Sequence, residues 1–248
     1  MKQPLFFIAN WKMYLSYNQA LAWIKTHGQS LQKLAQLKDI VLCPSNDALS
    51  EMQQHTKKIN VALGAQNCAA EISGAYTGQV SAQSIKELGC SYCIIGHSEQ
   101  IKYNNETIAQ TRKKVECALA CDLIPIICVG ETEQEYRADQ TIAVIDRQLN
   151  TLLMQHKKQP AKIVIAYEPH WAIGTDKIPS LSDLQTIGTS LREWGQELMP
   201  NSIITILYGG SVDIRNAQLI NELGLFDGYL IGRASLDFQI FEKIVVLE

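Results

Sequence analysis

A lysine, a histidine and two glutamates stand directly after apolar runs in this chain, in Asn10-Trp11-Lys12, Gly96-His97-Ser98-Glu99 and Glu168-Pro169-His170-Trp171. Glycine-bearing segments follow apolar runs in the same way: Cys128-Val129-Gly130-Glu131, Ala172-Ile173-Gly174-Thr175, Tyr208-Gly209-Gly210-Ser211 and Gly232-Arg233-Ala234-Ser235. Carboxylates and imidazoles move protons, and a lysine beside a neutral amide stabilises developing negative charge. Glycine loops let backbone N–H groups approach a dianion closely. Any one of these residues has an ordinary reading as a strand-end acid with a cationic neighbour, a structural histidine, a surface lysine or a simple turn. Their joint arrangement points instead to acid–base chemistry on a small anion.

Such residues need elements to position them. Short apolar or β-branched runs recur at Leu5 to Ala9, Ile40 to Cys43, Val61 to Ala65, Tyr92 to Gly96, Ile124 to Gly130, Ile163 to Tyr167, Ile203 to Tyr208 and Gly228 to Gly232. They lack polar alternation, as strands of a parallel sheet covered on both faces should. Between them lie segments with one apolar face at helical spacing, clearest at Ile108, Val115 and Leu119; at Ile142, Ile145, Leu149 and Leu152; and at Leu184, Ile187, Leu191, Trp194 and Leu198. Eight alternations with no linker predict an α/β chain folded as one (β/α)8 barrel domain over residues 1–248, whose site is built at the C-terminal ends of the strands. A doubly wound sheet needs the same alternation, usually with fewer strands per domain, and no boundary divides this chain.

Composition narrows the partners. The 22 basic and 25 acidic residues form no long block of one sign, which argues against a nucleic-acid footprint or a polybasic membrane patch. The run Leu5 to Ala9 is too short for a signal-peptide core, and no segment approaches the roughly 20 apolar residues of a membrane span. A small-molecule partner and a cytoplasmic location are expected. The seven cysteines are odd in number and lie mostly in apolar stretches, as in a reducing compartment. Cys90-x-x-Cys93 with Cys117 and Cys121 looks superficially like a zinc set, but the second pair falls among helical residues, so buried thiols are expected and no metal or cofactor.

Taken in order, Asn-x-Lys, Gly-His-Ser-Glu, Glu-Pro-x-Trp-Ala-Ile-Gly-Thr and Tyr-Gly-Gly-Ser-Val resemble the triosephosphate isomerase family from Asn10 to Leu236. The resemblance implies a barrel that interconverts dihydroxyacetone phosphate and D-glyceraldehyde 3-phosphate through an enediolate. It makes Glu168 the base, which water exclusion would strengthen. It makes His97 a neutral hydrogen-bond donor to the substrate oxygens, Lys12 a fixed cation with Asn10 beside it, and Glu99 a further member of the site. Gly174, Ser211, Gly232 and Arg233 are implied to hold the phosphate. Pro169 to Pro179 is implied to be a lid, with Trp171 and Glu131 at its latch and Tyr208 steadying the closed form. The stretch Gln66 to Gln79, around Thr77, is similar to a loop that inserts into a partner subunit beside its Asn10 and Lys12, implying a homodimer.

The chain also departs from the family pattern. Gln100 and Ile101 stand where two arginines are usual, and Asn104-Asn105-Glu106 where Phe-Gly-Glu is usual. The first arginine would pair with Glu106 and, across the dimer, with an acid where this chain has Gln79. Glu106 is therefore expected to lose its partner, weakening the electrostatic support behind His97 and Lys12 without abolishing activity. Arg233 and Asp176 replace usual glycines, and Arg233 is tolerated if its φ is negative. His170, at a variable position, is given no role. Other sugar-phosphate barrels are compatible with the fold. A metal-dependent epimerase needs several His and acidic ligands, and a Schiff-base aldolase a central desolvated lysine; neither pattern is as complete here. A barrel kept only as a binding scaffold fits Gln100 and Arg233 but not the retention of Asn10, Lys12, His97 and Glu168.

Overall fold

The computed structural model describes residues 6–157, 161–175 and 177–247. Its strands are β1 (Phe6–Asn10), β2 (Asp39–Cys43), β3 (Ala62–Ala65), β4 (Tyr92–Ile95), β5 (Ile124–Val129), β6 (Lys162–Tyr167), β7 (Ile203–Tyr208) and β8 (Gly228–Ile231). They close into a parallel barrel in chain order, with β8 pairing back onto β1. Helices α1 (Tyr17–Leu34), α2 (Leu49–Thr56), α3 (Ala82–Glu87), α4 (Ser98–Asn104), α5 (Ile108–Ala120), α6 (Glu133–Arg137), α7 (Thr141–Leu153), α8 (Leu181–Leu198), α9 (Ile214–Leu223) and α10 (Phe238–Val245) fill the connections. The barrel expected from the eight apolar runs is thus present. Leu5 lies outside the described residues, and Gly96 falls beyond its strand because a φ of 75° turns the chain there into α4.

Two apolar layers explain the strand composition. Phe6, Ile8, Val41, Cys43, Ile94, Ile126, Cys128, Val164, Ala166, Leu207 and Leu230 form one buried cluster inside the barrel. Their alternate neighbours, such as Phe7, Ala9, Ile127, Ile165 and Tyr167, join the larger cluster beneath the helices. Strand side chains alternate faces with period two, so the inward series Phe6 and Ile8 continues to Asn10, and Val164 and Ala166 to Glu168. Leu207 leads likewise to Gly209 and Leu230 to Gly232. Strand parity therefore aims one amide, one carboxylate and two glycines at the same end of the barrel.

The helices supply the outer half of the core. α8 opens on a capping box between Ser180 and Asp183 and buries Leu184, Ile187, Leu191 and Trp194, each worth about 2 kcal/mol on removal from water. At the seam, Gly228 pairs with Phe6, and any Cβ there would strike the Phe6 carbonyl. The seven cysteines are all free, and every one except the half-buried Cys121 is buried. Burial pushes the Cys90 thiol up to about 12 and, as the leading cause, Cys117 up to about 11. Both remain protonated near neutral pH. Among the described residues no helix is long and apolar enough to cross a membrane.

The expectation that Glu106 lacks a partner is corrected. Lys114 Nζ, from α5, lies 2.5 Å from Glu106 Oε2, with both side chains nearly buried. Thr111 donates to the other Glu106 oxygen at 2.9 Å. Lys114 also donates to Asn67 Oδ1 at 2.9 Å, and Asn67 donates to Gln100 Oε1 at 3.3 Å. Gln100 is thus a neutral link in a chain whose cation comes from the next helix. Sequence could not reveal this, because Arg112, Lys113 and Lys114 are adjacent and only the helical phase of α5 decides which one turns inward.

Two outcomes are expected in urea unfolding. Gly228→Ala destabilises by about 3 kcal/mol through overpacking at the seam, whereas Gly28→Ala, inside α1 with no atom within 4 Å of the new Cβ, stabilises by about 1 kcal/mol. Lys114→Met strands a buried carboxylate and lowers stability by about 3 kcal/mol. Adding Glu106→Gln or Gln100→Arg to that variant recovers more than half of the loss, and equal destabilisation of the single and double variants would refute the pairing.

Candidate active site

A cleft of about 640 Å³ opens at the C-terminal end of the barrel, lined by Asn10, Lys12, His97, Glu168, Gly174 and Ser211, with Gly232 and Arg233 at the β8 corner. The chain leaves β1 through Lys12, whose φ of 49° is unusual for a residue with a side chain. Three contacts hold it there. The Lys12 N–H donates to Asn10 Oδ1 at 3.0 Å, and its carbonyl accepts from Gln66 Nε2 at 2.8 Å and Ser45 Oγ at 3.3 Å. The ammonium then crosses the cleft to Glu99 Oε1 at 2.7 Å.

Gly96 delivers His97 as the N-cap of α4. Its Nδ1 accepts the Glu99 N–H at 3.1 Å. A nitrogen that accepts carries no proton, so this contact assigns the ring N–H of a neutral imidazole to Nε2. Nε2 faces Glu168 Oε1 at 3.4 Å, while the Ser98 N–H donates to Glu168 Oε2 at 3.3 Å. Glu168 is only 1 % exposed and His97 7 %. Gly209 leaves the carboxylate room, since a Cβ there would sit 3.0 Å from Glu168 Cγ. Gly130 lets the Glu168 backbone approach, and Gln148 grips both the N–H and the carbonyl of Gly130, at 3.0 and 2.9 Å. Beneath lies Cys128, whose thiol is pushed well up by burial and by the Glu168 charge and so stays protonated.

The segment after Glu168 is fastened at its start. Glu131, fully buried, accepts from Trp171 Nε1 at 2.8 Å and Tyr167 Oη at 3.1 Å. Burial raises its carboxyl, and those two hydrogen bonds offset part of the shift. Trp171 also stacks on Tyr136 with centroids 4.4 Å apart. Further along, Ser211 Oγ lies 2.8 Å from the Ala172 carbonyl and 2.7 Å from that of Thr175. Gly174 takes a φ of 71° that favours glycine. Burial lowers His170, which sits at the first bend. Asp176 lies outside the described residues.

The candidate catalytic and substrate-binding residues read from the sequence are thus found at one end of the barrel. Asn10, Lys12, His97, Glu99 and Glu168 form a connected group, while Gly174, Ser211, Gly232 and Arg233 line the same cleft. Arg233 opens a 3-10 turn and is not among the described residues with positive φ, so its backbone is unstrained. Sequence reasoning passed over Gln66, Gln148 and the Ser98 N–H. Gln66 had a signal, since it directly follows β3, where barrel sites are built. The other two carried none.

The family model described as triosephosphate isomerase matches residues 5–247. The triosephosphate isomerase of Endomicrobium trichonymphae is 38% identical to this chain, covering 99% of it and 98% of that protein. That of Alkaliphilus metalliredigens is 41% identical over 99% of both chains. The crystal structure of triosephosphate isomerase from Bartonella henselae superposes with a TM-score of 0.84 at 31% identity, covering 98% of each chain. With a barrel closed in chain order, a carboxylate facing an imidazole across its mouth and these matches over nearly its whole length, the chain belongs to the triosephosphate isomerase family.

Proposed function

We propose that this chain interconverts dihydroxyacetone phosphate and D-glyceraldehyde 3-phosphate by proton transfer through an enediolate, with Glu168 as the base. The observation that carries the reading is the pairing of a buried carboxylate with the Nε2 face of a neutral imidazole, 3.4 Å apart in one cleft. Carbon acids are weak, so the reaction needs a strong base and a place for negative charge to go. Glu168 takes a proton from one carbon and returns it to its neighbour. Meanwhile the His97 Nε2–H, the Lys12 ammonium and the Asn10 amide hold the charge that develops on the two oxygens. Glu168 exchanges its contact with the Ser98 N–H for the substrate carbon, which keeps the carboxylate parked and desolvated until then.

The phosphate fits the opposite side of the cleft, against backbone of Gly174, Ser211, Gly232 and Arg233. Residues 169–179 serve as the lid, with Glu131 and Trp171 holding its first hinge. Closing it excludes water and keeps the enediolate from eliminating phosphate. A glycolytic and gluconeogenic role in the cytoplasm, carried by the whole chain as one domain without a cofactor, completes the reading. The loop around Thr77 supports a homodimer. Ile72 and Tyr76 on it are exposed, as are Met13 and Tyr14 after β1 and Tyr103 on α4. Apolar side chains concentrated on loops at one end mark a surface awaiting a partner.

Chelator-treated protein is expected to interconvert the two trioses. Glu168→Gln lowers kcat by about 10³-fold or more. Glu168→Asp, which withdraws the carboxylate by one methylene, lowers it by about 10²-fold at near-constant KM. Both are read against unchanged circular dichroism, and a folded Glu168→Gln protein of full activity would end the assignment. Sedimentation is expected to find a dimer, and Tyr76→Glu to shift it to a less active monomer; a wild-type monomer with full turnover would remove the homodimer.

A further inference from the structure

Charge accounting in the cleft singles out Arg233. The Lys12 ammonium is already neutralised by Glu99 at 2.7 Å, and Arg215, also in the lining, lies 3.3 Å from Asp213. Arg233 is exposed, lines the cleft, and forms no ion pair among the described residues. The two carboxylates of the lining near it are engaged elsewhere. Asp213 accepts the N–H groups of Arg215 and Asn216, and Asp237 those of Gln239 and Ile240, so each caps a helix. Arg233 also stands immediately after Gly232, against which the Lys12 stem packs, a Cβ on that glycine falling 3.4 Å from Lys12 Cε. An uncommitted guanidinium therefore stands one residue from the corner where a phosphate would meet the β8 loop.

We propose that the Arg233 side chain is a specificity-determining residue that binds the phosphate dianion of the substrate, adding a charge-assisted contact to the main-chain N–H groups of the cleft. This rests on the isomerase reading above. A planar guanidinium matches two phosphate oxygens at once, which a lysine cannot do. Because the phosphate is bound throughout the reaction, the contact stabilises substrate and transition state alike and acts chiefly on KM. Forming no ion pair among the described residues, the guanidinium has no internal anion to leave when substrate arrives.

The test compares wild type with Arg233→Met, Arg233→Lys and Arg233→Gly. Arg233→Met is expected to raise KM for both triose phosphates about tenfold, with kcat changing less than KM. It should weaken competitive inhibition by inorganic phosphate by a similar factor and lower the ratio of kcat/KM for glyceraldehyde 3-phosphate to kcat/KM for unphosphorylated glyceraldehyde about tenfold. Arg233→Lys should recover part of each, and Arg233→Gly none. A merely structural role would depress phosphorylated and unphosphorylated substrates together, leaving the ratio unchanged, and that outcome overturns the proposal, as does unchanged phosphate inhibition. Wild-type protein that isomerises neither triose would instead sink the isomerase reading; calorimetric titration with inorganic phosphate, wild type against Arg233→Met, would then still decide the role of Arg233.

Discussion

The site hangs on the first turn of α4. Within three residues, the Ser98 N–H holds the Glu168 carboxylate, the Glu99 N–H fixes the His97 ring and the Glu99 side chain engages Lys12. Glu168, His97 and Lys12 follow three different strands, yet each makes a contact with this short stretch of chain. Donors at a helix start are free of intrahelical partners, and so they are available for such work. The turn can do this only if it is itself immobile. At its other end Asn105 takes a φ of 52° and leads into Glu106, clamped by Lys114 and Thr111. The buried ion pair therefore fixes the helix from behind.

Strand ends were legible in the sequence because they obey short-range rules. Strands covered on both faces must be apolar throughout, so the eight runs stood out, and the polar residues at their C-terminal ends led to Asn10 and Glu168. The helices were less legible. α4 has no buried residue at all and α6 spans Glu133–Arg137, so neither has an apolar face to register as periodicity. α8, with four large buried side chains at regular spacing, was plain.

What escaped sequence reasoning was partnership at long range. Lys114 and Glu106 are eight residues apart, but Gln66 reaches back to Lys12 and to the Cys43 carbonyl, and Gln148 to Gly130. No periodicity announces such pairs. The error over Glu106 shows why: a missing arginine at position 100 was visible, but its replacement depended on which of three consecutive cations the rotation of α5 buries. Polar satisfaction in a core is a property of the fold, and local sequence constrains it only by supplying enough donors and acceptors.

The segment after Glu168 lies beside two unsatisfied polar atoms. Tyr208 Oη is buried without a hydrogen-bond partner among the described residues, and so is Glu131 Oε2. Burial, with a lesser contribution from the Glu131 charge, pushes the Tyr208 phenol up, so it remains a donor. A buried donor left unsatisfied costs about 1–3 kcal/mol. Any arrangement of residues 169–179 that offers this hydroxyl an acceptor gains that amount. Rearrangement also gives up the contacts of Ser211 Oγ with the Ala172 and Thr175 carbonyls, each worth about 1 kcal/mol. The two terms are of similar size and opposite sign, so for these contacts alone they nearly cancel.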